Sequence, residues 1–141
     1  MVLRSLVRLP SVVLMSCSLS ACGGSDANPT SVDVSGTYNL ISANGRNLPA
    51  VVSENTATGF RQEVIGGFVE LRSDRTFTVR TDYRMTNSGD VRESRSSNDG
   101  TYTVAGEAIT FTLQPGSDRL SGTLNDGVLT VRADVELVYR K

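Results

Sequence analysis

Histidine is absent from this 141-residue chain, and its two cysteines, Cys17 and Cys22, both stand near the N-terminus. Without imidazole, Ser-His-Asp and Cys-His nucleophile activation and the common histidine-based metal sites are excluded. Carboxylates come close together in sequence at Asp134 with Glu136 and at Asp90 with Glu93. On alternating strands and in loops such pairs are solvated rather than catalytic, so no catalytic residue is assigned and no enzyme is expected. Asp118 and Asn125-Asp126 offer oxygens to a cation, but no spacing gathers the six or more ligands calcium takes. Turn chemistry explains them more simply, and no metal or cofactor is expected. The one side chain with a defined chemical task is a thiol.

That thiol is Cys22. It closes Leu19-Ser20-Ala21-Cys22 and precedes Gly23-Gly24. Upstream, Arg4 and Arg8 form a positive region, and Leu9 to Leu19 is a short apolar stretch interrupted by Pro10 and serines. It falls short of the ~18–20 unbroken apolar residues of a spanning helix, and the small residues before Cys22 fit a signal peptidase cleft. The pattern resembles bacterial lipoprotein signals, in which the thiol is diacylated, the peptide is cut before the cysteine and the new amine is acylated with a chain such as palmitate. The resemblance implies a signal peptide over 1–21 and a lipid anchor at Cys22. Gly23, in place of Asp, implies sorting to the outer membrane, facing the periplasm, if the source is Gram-negative.

The charge balance agrees with an anchor made of acyl chains. Of 14 basic and 15 acidic residues, only Arg4 and Arg8 lie in 1–21, so a mature chain would carry 12 against 15, a net charge of −3. Such a chain has no electrostatic footprint for nucleic acid and little attraction to anionic headgroups. Two or three acyl chains, at ~0.8 kcal/mol per buried methylene, would hold it to the membrane. With Cys17 removed and Cys22 acylated, neither a disulfide nor a thiolate metal site can form. Residues 22–35, small and polar around Asn28-Pro29-Thr30, read as a lipidated N-terminus and a flexible tether.

Over 36–141 apolar and polar residues alternate with period two. The runs include Phe77, Val79, Thr81, Tyr83 and Met85, then Ile109, Phe111 and Leu113, and finally Val135, Leu137 and Tyr139. Turn signals separate them at Asn44-Gly45, Ser73-Asp74, Ser88-Gly89, Asp99-Gly100, Ala105-Gly106, Pro115-Gly116 and Asp126-Gly127. No stretch carries a helical apolar stripe, and only Val52 to Gly59 is ambiguous between a loop and a helical turn. An all-β antiparallel chain of some eight to ten strands can be a sandwich or a closed barrel. Successive hairpins, Gly66-Gly67 as a bend, and a last strand placed to pair with the first all favour an up-and-down barrel.

Gly36-Thr37-Tyr38 resembles the Gly-x-Trp opening of lipocalins, with Tyr for Trp. With Asn44-Gly45-Arg46-Asn47-Leu48-Pro49, Gly66-Gly67, the Thr76-Phe77 hairpin, Gly100-Thr101-Tyr102 and the closing Val138-Tyr139-Arg140, the chain is similar to the lipocalin-like (calycin-type) domains of small bacterial lipoproteins. The resemblance implies a β-barrel with room for an internal cavity and assigns no ligand; Tyr38 itself reads as a plug that closes the barrel floor and not as a ligand contact. In fatty-acid carriers of the same broad superfamily an Arg-x-Tyr pair on the last strand grips a carboxylate. Here Tyr139 matches and Leu137 replaces the arginine, so the resemblance does not extend to that grip.

If Ser88-Gly89 is a two-residue turn, Arg84 falls opposite Glu93 and Asp82 opposite Arg95, two opposite-charge pairs on one face. The other face sets Thr81, Tyr83 and Met85 against Ser96, Ser94 and Arg92, on the side that carries Phe77 and Val79 inward. Tyr83, Arg92, Ser94 and Ser96 are thus candidate ligand-binding residues for a small amphipathic molecule. The competing reading is a hairpin that projects past the rim with both faces wet. The function classes are accordingly a lipid-anchored binding module and a filled barrel that meets other envelope proteins.

Overall fold

A computed structural model describes residues 33–141, and all the regular structure among them is strand. The ten strands are β1 (Gly36–Ala43), β2 (Arg46–Asn47), β3 (Ala50–Asn55), β4 (Phe60–Leu71), β5 (Thr76–Asn87), β6 (Asp90–Ala105), β7 (Ala108–Gln114), β8 (Arg119–Asn125), β9 (Val128–Arg132) and β10 (Glu136–Arg140). Neighbours run β1-β10-β9-β8-β7-β6-β5-β4, and β4 pairs back to β1, closing an eight-stranded antiparallel barrel. Apart from the β1 crossing to β4, each barrel strand pairs with its successor, as the alternating runs and short turns require. The ambiguous segment Val52 to Gly59 is the end of β3 and a turn.

The closing seam is short. Gly36 to Asn39 pair with Leu71 to Phe68, and the two strands then part. Beyond that point β2 pairs with the end of β1, and β3 with the first half of β4. The two extra strands therefore cover the edges left where the barrel opens.

Inside the ring, Tyr38, Tyr139, Phe77, Leu71, Ile109, Leu129, Val64 and Val69 are fully buried. Phe77 and Phe111 meet edge to face with centroids 4.9 Å apart, a favoured aromatic geometry. The lower end is tied by polar contacts from two tyrosines. The Tyr38 hydroxyl donates to the Val34 carbonyl at 2.7 Å, and the Tyr102 hydroxyl donates to that of Arg72 at 2.6 Å. Lys141 lies over the Tyr38 ring and Arg75 over that of Tyr102, at 5.7 and 5.6 Å, within cation–π range. Tyr38 thus has the place of a floor plug.

Two glycines let backbones touch where the sheet coils. A Cβ at Gly67 would lie 2.3 Å from the Arg80 carbonyl oxygen. Beside it the β4–β5 register shifts between Val64 and Gly66, a bulge at the bend expected there. Asp99-Gly100 differs from expectation, because it is no turn: β6 runs unbroken through it. A Cβ at Gly100 would meet the Thr112 carbonyl oxygen at 2.1 Å and the Phe77 ring at 2.7 Å. Glycine here serves close packing of extended strands, a role that a turn-like dipeptide does not reveal.

Candidate binding face

The β5–β6 hairpin has the register read from its turn. Ser88 and Gly89 both have positive φ, 49° and 96°, as a tight hairpin turn of matching twist requires. From Asn87 opposite Asp90 to Thr76 opposite Thr101 the two strands pair without a bulge. Arg84 therefore faces Glu93, Asp82 faces Arg95, and Thr81, Tyr83 and Met85 face Ser96, Ser94 and Arg92.

Height relative to the barrel is what the pattern did not reveal. β7 pairs with β6 only from Asp99 onward, so Asp90 to Asn98 rise above the ring with β5 on one side. On the other side of β5, the start of β4 rises too, from Phe60 opposite Asn87 to Glu63 opposite Arg84, and β3 flanks it. Together they make a four-stranded wall above the rim. Ser88 fastens its top to the β3–β4 turn, its amide donating to the Gly59 carbonyl and its hydroxyl to that of Thr58, both at 3.3 Å.

The candidate residues divide along this wall. Thr81 is buried in the barrel, Tyr83 is half-buried and packs against the core, and Arg92, Ser94 and Ser96 are exposed. The exposure of the last three agrees with the competing reading, a hairpin that projects past the rim. They share the lumen-side parity of Tyr83 and Met85 but stand in solvent, on the part of β6 that β7 does not reach. Arg92 borders a recess of about 320 Å³ shared with Phe60, Met85, Asn87 and Asp90. Cys22 lies outside the described residues.

In the barrel interior the buried residues are apolar apart from Thr81 and the hydroxyls of Tyr38, Tyr102 and Tyr139. Tyr139 is buried, and loss of hydration drives its phenol well above the ordinary tyrosine range, against the opposing hydrogen bond with Thr81. No buried side-chain nitrogen or oxygen among the described residues lacks a hydrogen-bond partner. The barrel floor is thus satisfied by its own groups.

The outer face of the wall carries a charge network larger than the two pairs legible in sequence. Arg84 donates to Glu93 at 3.3 Å and lies 3.9 Å from Glu63 on β4; Arg61 sits 2.9 Å from Glu63 and 3.9 Å from Glu54 on β3. One row of alternating charge therefore crosses all four strands. Lower down, Asp82 receives Arg80 and Arg95, each at 2.9 Å, beside a groove of about 470 Å³ that Ile65 also borders. These arginine hydrogen bonds, Arg80's foremost and then Arg95's, hold the Asp82 carboxyl below the usual carboxylate range. Of the carboxylate pairs weighed in sequence, Glu93 is engaged by Arg84 and Glu136 by Arg132 at 3.2 Å. Reasoning from the hairpin alone missed Glu63 and Arg61, and the signal for them was the period-two charge pattern Arg61-x-Glu63 on β4.

No protein-family model matches the chain, and comparison with curated proteins and with solved structures gives no match either.

Proposed function

We propose that this chain is an envelope lipoprotein, anchored through acyl chains on Cys22, whose lipocalin-like barrel binds a small amphipathic molecule on the inner face of its wall. The observation that carries this reading is the in-register pairing of Met85 and Tyr83 with Arg92 and Ser94. It sets half-buried apolar surface beside exposed polar groups at the mouth of the barrel, the composition of a site for an apolar tail and a polar head. Ser35, whose carbonyl accepts from the Lys141 ammonium at 2.6 Å, lies at the end of the barrel opposite the hairpin.

Replacing Cys22 by Ser is expected to move the protein from the membrane fraction to the soluble or uncleaved fraction. Retention in membranes after signal removal would refute lipid anchoring. For the ligand, Arg92→Ala should weaken an anionic amphiphile ten- to a hundredfold, the loss of a charge-assisted bond of about 1.5–3 kcal/mol, and leave a neutral one of equal tail nearly unchanged.

A second reading rests on the full burial of large side chains through the centre of the ring: a barrel filled by its own residues, as small eight-stranded barrels can be, that meets envelope proteins through its surface. It predicts no saturable amphiphile binding by either form.

A further inference from the structure

The upper half of β6 is an open edge. Among the described residues, Asp90 to Asn98 pair with β5 and with no strand on the other side, because β7 begins opposite Asp99. Half of the backbone amides and carbonyls of these nine residues point away from β5. The stretch contains neither proline nor glycine and pairs with β5 without a bulge, so of the usual devices that blunt a sheet edge only charge is present. Val91, 59% exposed, is the most exposed large apolar side chain among the described residues.

We propose that two copies of this chain join through this edge, antiparallel about a two-fold axis at Ser94, to form one continuous sheet across both walls. Three observations select that arrangement. First, length: centred on Ser94, Asp90 of one copy lies opposite Asn98 of the other, so the open edge is filled up to the point where β7 begins. Second, charge: Glu93 of each copy falls opposite Arg95 of the other. Their side chains are 61% and 60% exposed despite their contacts to Arg84 and Asp82, so both retain capacity for a second partner. Third, register: a slip of two residues in one direction sets Glu93 against Glu93, and in the other Arg95 against Arg95. Like charges directly opposite are destabilising, so a single register remains. Slips of one residue would put lumen-side residues against outer-face residues. Wall-inner residues stay on the inner face in the pair, so the proposal stands independently of ligand binding.

The test uses the full chain with Cys17 and Cys22 replaced by Ser, so that an introduced thiol is the only one and no lipid contributes. Residues directly opposite in an antiparallel pair have Cα atoms about 4.5 or 5.5 Å apart, within disulfide reach. Ser94→Cys is therefore expected to give a covalent dimer on mild oxidation. Ser97→Cys, whose counterpart would lie six residues along the strand at ~20 Å, should give at least tenfold less. Adding Glu93→Arg should suppress the Ser94→Cys crosslink, and adding Arg95→Glu as well should restore it, with circular dichroism showing the fold retained throughout. Equal crosslinking at positions 94 and 97, no crosslinking at 94 in a folded protein, or indifference to the charge reversal would each overturn the proposal.

Discussion

Arg95 donates through Nε to Asp82 at 2.9 Å across the β5–β6 pair, onto a carboxylate that Arg80 already holds from its own strand. The shared acceptor makes the two arginines unequal to the carboxylate in mutational cost. Asp82→Asn weakens three charge-assisted bonds, two from Arg80 and one from Arg95, and leaves two guanidinium groups side by side, whereas Arg95→Gln loses one bond and leaves Asp82 paired. Urea denaturation should show the larger loss for Asp82→Asn. The Asp82–Arg95 coupling in a double-mutant cycle should be about 0.2–1 kcal/mol, shrinking at high salt, as for exposed pairs generally.

The same carboxylate shapes acid stability. Arg80 and Arg95 hold the folded Asp82 below its unfolded range, so its contribution is complete above the unfolded pKa of about 4. It is lost as pH falls through the lower, folded value. Stability measured from pH 6 down to pH 2 should therefore decline more steeply for the unmodified chain than for Asp82→Asn. Parallel declines would show that the pair does not contribute.

Gly100 offers a test of the barrel's packing. Because a Cβ there would meet the Thr112 carbonyl oxygen at 2.1 Å, strand backbone must shift to admit even alanine. Gly100→Ala should cost about 1–3 kcal/mol, the range of core overpacking, measured by the denaturation midpoint. A change smaller than about 0.5 kcal/mol, ordinary for an exposed surface site, would contradict the close approach of β6 and β7.

Side-chain alternation and turn residues make much of this architecture legible in the sequence. Ser88-Gly89 fixed the hairpin register because a two-residue turn leaves no freedom in which residues oppose each other, and the pairing of Arg84 with Glu93 follows from it. The return of Tyr139 to Leu40 was likewise visible as a final strand matching the first. Three features escaped for physical reasons. Asp99-Gly100 has turn composition, yet its glycine serves a close strand contact. Arg92, Ser94 and Ser96 have the parity of lumen residues, but parity reports which face a side chain takes and not how far along the barrel axis it stands. The short β2, and the way β2 and β3 fill the diverging edges of β1 and β4, depend on where the ring opens, which no local pattern encodes.

The most direct test of the binding face is to follow the backbone amides of residues 33–141, which contain every strand of the barrel, by nuclear magnetic resonance during titration with an anionic amphiphile. Saturable shifts concentrated at Phe60, Tyr83, Met85, Arg92, Ser94 and Ser96, and reduced by Arg92→Ala, are the predicted result. Absence of saturable shifts, or shifts spread evenly over the outer face of the barrel, would contradict a ligand site on the wall and leave the filled barrel as the account of this fold.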